Sequence, residues 1–154
     1  MDKSILSEYA DMKEEIKDLR RRISEDQKRI DQLKQTIVSD SVTCGKKGKK
    51  PIRTVKIKGF PQVEINRRVA LMERRQAKLQ MLETDLIDKQ LQVEEYIQTI
   101  QKSELRIMFR LYYIDDLTWY QVALRMNQIF PKRRIKYTED NCRMRHNRFL
   151  EQVA

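Results

Sequence analysis

Apolar side chains recur at heptad spacing from Ile5 to Ile37. One seam position holds Tyr9, Ile16, Ile23, Ile30 and Ile37; the other holds Ile5, Met12, Leu19 and Leu33, with Asp26 as the polar break. Two apolar positions per heptad put a narrow stripe on one side of a helix, as in a coiled-coil seam. At 1.5 Å per residue such a helix is about 50 Å long. The pattern stops at Ser39-Asp40-Ser41, and residues 42–61 hold all three Gly and two of the three Pro. That stretch cannot continue a helix. Within it, Arg53-Thr-Val-Lys-Ile-Lys alternates polar and apolar residues, which suits a short strand or hairpin.

Residues 62–130 contain neither Gly nor Pro. A second long helix is expected from about Glu64. Its main seam is Ile65, Met72, Leu79, Leu86, Val93 and Ile100, and its other seam position is poorer, with Gln76, Glu83 and Gln90 between Val69 and Ile97. Leu82, Ile87 and Leu91 are expected to widen the apolar stripe. The simplest arrangement folds the two helices back on each other as an antiparallel hairpin with the basic segment 39–63 at its tip. Pairing of the first helix with its copy in a second chain also satisfies the heptads, because Ile at one seam position and Leu at the other suits a parallel dimer. A dimeric four-helix bundle would satisfy both.

Near Ser103 the pattern changes to an aromatic-rich one, ELRIMFRLYYI. Three short helices are expected in 102–154. The first runs from Glu104 to Ile114 and ends at Asp115-Asp116. The second opens on Thr118 with Gln121 three positions on, a capping box. The third opens on Thr138, where Glu139 and Asp140 suit a helix N-terminus. The expected fold class is therefore all-α: a long helical hairpin over 1–101 with the basic loop 39–63, followed by a small helical domain over 102–154.

Charge sharpens this picture. The net charge is +10. Residues 1–38 balance at nine charges of each sign, and 64–101 carry six positive against seven negative. The excess lies in 39–63, with seven cations against Asp40, and in 102–154, with eleven against six. Clustered positive charge attracts phosphate and releases counterions on binding. No run approaches the roughly 18–20 apolar residues that span a bilayer. The acidic start MDKSILSEYADMKEE does not read as a signal peptide, and Cys44 and Cys142 form neither a disulfide framework nor a zinc motif. The expectation is a reduced, cytoplasmic protein with no membrane partner.

The segment LTWYQVALRM resembles the Leu-Ser/Thr-x-x-Glu-Ile-Ala pattern of sigma factor region 4, with Val122 and Ala123 at the Ile-Ala positions. TEDNCRMRHNRFL resembles the recognition helix of that fold. More widely, DSVTCG, VKIKGFP and RMRHNRFL make the chain similar to prophage-encoded late-gene transcriptional regulators of the RinA/ArpU type. The resemblance implies a helix-turn-helix that binds double-stranded DNA, a role in transcription, and RNA polymerase as a further partner, with the cytoplasm being that of a bacterial host cell. MNQIFPKRRIKY departs from the pattern, being longer than the usual turn before a recognition helix.

At 100° per residue, Cys142, His146, Phe149, Leu150 and Val153 fall on one side of the third helix and form its expected core face. Asn141, Met144, Asn147 and Arg148 lie opposite, flanked by Arg143 and Arg145. Amides can pair with adenine and guanidinium groups with guanine, while flanking cations hold phosphates. Lys132, Arg133, Arg134 and Lys136 precede the helix and are expected on the DNA backbone. Lys46, Lys47, Lys49, Lys50, Arg53, Lys56 and Lys58 form a second candidate nucleic-acid contact, with a solvated loop tip as the plainer alternative. His146, Cys142 and Trp119 are expected to pack. The chain has no Gly-rich phosphate loop, metal-ligand cluster or nucleophile elbow, so neither an enzyme nor a cofactor is expected. A homodimer through the long helices is expected. The competing readings are a DNA-packaging protein like a small terminase subunit, and a coiled-coil adaptor or inhibitor that binds only protein.

Overall fold

The computed structural model describes residues 2–36, 38–44, 53–59 and 61–153, with side chains for 2–36, 59 and 61–153. The regular elements among these residues are helices, apart from one pair of strands. Helix α1 (Ser4–Gln35) leads to strands β1 (Val38–Cys44) and β2 (Arg53–Gly59), then to α2 (Gln62–Gln98) and three shorter helices, α3 (Ser103–Phe109), α4 (Trp119–Ile129) and α5 (Glu139–Gln152). The strands are antiparallel, in a register from Val38 opposite Gly59 to Cys44 opposite Arg53. The chain divides into two compact units, residues 16–81 and residues 1–15 with 82–154.

In the 16–81 unit, α1 and α2 meet through Ile30, Leu33 and Ile65, with Val69 and Met72 beside them. Asp26, the polar break in the heptad, is only 3% exposed. Arg75 Nη1 donates to both its oxygens, at 2.8 and 2.6 Å. Burial of a carboxylate is tolerated only when a cation and hydrogen bonds replace its water, and Arg75 supplies both. On the exposed side of α1, Asp18 receives Arg21 and Arg22 while Arg21 also reaches Glu25, each at 2.7 Å. Such pairs three and four residues apart support a helix that lacks Gly and Pro.

In the other unit, Leu6 and Tyr9 of α1 pack with Val93, Tyr96 and Ile97 at the end of α2, with Ile100 just beyond it, and with Phe109 and Tyr113. Polar ties reinforce this packing: Lys89 to Glu8 at 2.7 Å, Lys3 Nζ to the Leu150 carbonyl at 2.7 Å, and Lys13 Nζ to the Tyr113 carbonyl at 2.5 Å and Asp116 at 2.7 Å. The expected helix from Glu104 to Ile114 is α3 continued by a π-helical turn, Arg110–Ile114. Asp115 N–H bonds the Arg110 carbonyl five residues back. Asp116 then ends the run at φ 55°, a left-handed conformation that Asp tolerates better than most residues.

Four apolar positions differ from the periodicity reading. Ile87 and Leu91 do not widen the core stripe of α2; they are 63% and 57% exposed. At 100° per residue they lie on the side away from Val93 and Ile97. Val153 is 45% exposed, lying just past the end of α5 at Gln152. On α1, Leu6 rather than Ile5 takes the fully buried position.

Candidate nucleic-acid interface

Both helices of interest begin on a complete capping box. The Thr118 hydroxyl accepts from Gln121 N–H, and the Gln121 side chain accepts from Thr118 N–H. Thr138 and Asn141 do the same at α5. Two otherwise orphaned backbone donors are satisfied at each start. Val122 and Ala123 are buried in one cluster with Met126, Cys142, Tyr137, Met108 and Leu111. Here α4 and α5 pack, and the small Ala123 lets the two come close. Burial pushes the Cys142 thiol up to about 11, so it is a packed, unreactive group.

The long segment between α4 and α5 is held at both ends. Asn127 accepts from Tyr137 N–H at 2.8 Å and donates to the Tyr137 carbonyl at 2.9 Å. Lys136 Nζ donates to the Pro131 carbonyl at 3.0 Å. Glu104, in the first turn of α3, accepts from Arg133 at 2.5 Å and also from Arg145. The two guanidinium groups stand over the Tyr137 ring, 4.8 and 5.3 Å from its centroid, and Arg133 also donates to its hydroxyl. Glu104, Arg133, Arg145 and Tyr137 thus form one node joining α3, the connecting segment and α5.

His146 is 7% exposed. Its Nδ1 lies 3.0 Å from Asn147 Oδ1 and its Nε2 2.7 Å from the Tyr113 hydroxyl. An acceptor beside Nδ1 places the proton there, leaving Nε2 to accept from Tyr113. Rings of Phe109, Tyr112, Tyr113 and Trp119 surround it with centroids 4.9–5.6 Å away. Burial holds its pKa below the usual histidine value, against the Asn147 hydrogen bond. Trp119 stacks on Tyr112 at 4.0 Å and is a packing residue.

The residues expected on DNA are therefore not equivalent. Arg143, Met144, Asn147 and Arg148 are exposed on α5, although Arg143 also pairs with Asp140 at 2.8 Å. Lys132, Arg134 and Lys136 are exposed just before it. Arg133 and Arg145 are drawn onto Glu104, and the Asn141 amide is turned back onto the helix cap and the Lys136 carbonyl. The sequence carried a signal for Asn141, since a Thr-x-x-Asn start allows the same reciprocal cap as Thr-x-x-Gln. It carried none for Glu104, whose partners lie 29 and 41 positions away. Lys46, Lys47, Lys49 and Lys50 lie outside the described residues, as do the side chains of Arg53, Lys56 and Lys58. Among the described residues there is no cluster suited to a metal ion and no helix long and apolar enough to cross a membrane. No family model, curated protein or solved structure matches the chain.

Proposed function

We propose that residues 102–154 bind double-stranded DNA through a helix-turn-helix made of α4 and α5, and that the chain is a transcription regulator of the phage type. The division of α5 carries this reading. Cys142 and His146 bury one side, while Arg143, Met144, Asn147 and Arg148 stay exposed on the other. A helix fixed from behind and lined in front with guanidinium and amide groups matches what major-groove reading requires. Lys132, Arg134 and Lys136 serve as phosphate contacts. Arg133, Arg145 and Asn141 act behind that face by fixing the pose of α5. The long helices, read as a hairpin, serve dimerisation or contact with RNA polymerase.

Selection from a pool of random-sequence duplexes tests the reading. The expected outcome is an enriched site, bound about 5–150-fold less tightly by Arg143→Ala, as follows from losing a bidentate base contact of about 1–3 kcal/mol. A pool that stays unenriched would contradict it. The second reading, a protein-binding adaptor, is favoured by the exposed Tyr120 and Leu124 on α4 and by the exposed carboxylates Glu139 and Asp140 at the start of α5. It gains ground if the duplexes are not retained at all.

A further inference from the structure

A cleft of about 820 Å³ lies within the unit formed by 1–15 and 82–154. The end of α2 contributes Tyr96, the residues just after it contribute Ile100, α3 contributes Glu104 and Leu105, and α5 contributes Arg145, Arg148 and Phe149; Lys102 and Arg133 complete its charged lining. The volume is that of a small-molecule site, which typically spans about 300–1,000 Å³.

The charge of the lining is lopsided. Four cations, Lys102, Arg133, Arg145 and Arg148, face one carboxylate, Glu104. That carboxylate is already shared by Arg133 and Arg145. Tyr96 adds a second anomaly. It is 3% exposed, and its hydroxyl is the one buried side-chain polar atom among the described residues without a hydrogen-bond partner. Burial, with a smaller contribution from Asp2, raises its pKa, so the group stays a neutral O–H able to donate. Buried polar atoms without partners are uncommon and point to a strained or ligand-binding place.

We propose that this cleft binds a small phosphorylated molecule. Three guanidinium groups and an ammonium group around one occupied carboxylate leave more positive charge than a single carboxylate ligand can balance. A phosphomonoester brings close to two negative charges at pH 7 and three strong acceptor oxygens, a geometry that guanidinium groups meet bidentately. Arg148 and Lys102 hold the phosphate. Ile100, Leu105 and Phe149 give its organic part an apolar wall. Because Arg133 and Arg145 face both Glu104 and the ligand, occupancy competes with the node that fixes α5.

Isothermal titration calorimetry of the full chain with adenosine 5′-monophosphate tests this without DNA, so its outcome stands apart from that of the DNA-binding reading. Saturable one-to-one binding is expected, with none for adenosine. Arg148→Ala should weaken it about tenfold or more, as expected when one charge-assisted hydrogen bond is removed. Arg143→Ala, which removes a cation of the same helix outside the cleft, should leave it unchanged. Tyr96→Phe should weaken it several-fold with the fold intact by circular dichroism, and unaltered affinity would overturn the role given to that hydroxyl. Absence of saturable binding, or equal weakening by Arg143→Ala and Arg148→Ala, overturns the proposal. So does a duplex that binds in an Arg148-dependent way when the nucleotide does not, since the cleft would then seat backbone phosphate.

Discussion

Glu104 holds two of the arginines that lie in the strongly basic part of the chain, and its removal should be felt in stability before it is felt in binding. Glu104→Ala leaves Arg133 and Arg145 half-buried without their shared partner. The expected loss is about 1–2 kcal/mol, tempered because all three side chains are partly solvated. Urea unfolding measures it, and an unchanged midpoint would show that the node adds nothing. His146 makes a prediction of opposite kind. Its folded pKa lies below the ordinary histidine value of 6.5, so between that value and the folded pKa the unfolded chain binds the proton and the folded chain does not. Stability is therefore complete above about pH 6.5 and falls as pH drops through that window, by up to about 1.4 kcal/mol per unit. His146→Gln should flatten the slope just below about pH 6.5, and a slope that persists would place its origin elsewhere. That this histidine packs could be read from its helical position. Its Tyr113 partner could not, because the π-helical turn that carries Tyr113 leaves no signature in the residue pattern.

Asp26 shows how one element tolerates a break in its own pattern. A heptad with a carboxylate at a seam position should be weak there, and Arg75 of α2 makes up for it. Asp26→Ala strips Arg75 of its partner and should destabilise the protein by about 2–3 kcal/mol, below the range for a fully buried pair because Arg75 keeps some exposure to water. Asp26→Leu with Arg75→Leu, which makes the seam apolar, should restore most of that stability or exceed wild type. A double variant as unstable as Asp26→Ala would contradict this role for the pair. Helix starts were legible because caps are local: Thr118 with Gln121 declares itself in four consecutive residues. The apolar face of α2 was less legible. Ile87 and Leu91 look like core by composition, but burial depends on which side a neighbour covers, and periodicity does not name the neighbour.

Across the whole molecule, the net charge of +10 is concentrated in 39–63 and 102–154, while the regular polar faces of α1 and α2 nearly neutralise themselves. That contrast was visible in the sequence. Which cations remain available was not, since two of the best-placed arginines turn inward. On the proposed function, the outward-facing cations meet DNA phosphate and bases. The affinity of the purified chain for duplex DNA across a salt series, alongside Lys132→Ala/Arg134→Ala and Arg143→Ala, decides whether they do. Affinity should fall steeply with salt, and the Lys132/Arg134 variant should lower the log–log slope by about two, one for each phosphate left unneutralised. Arg143→Ala should reduce affinity by about 1–3 kcal/mol on a preferred site. Wild type and variants that bind equally weakly, with the same shallow slope, would contradict DNA binding by this face and leave α4 and α5 as a fold that serves a protein partner.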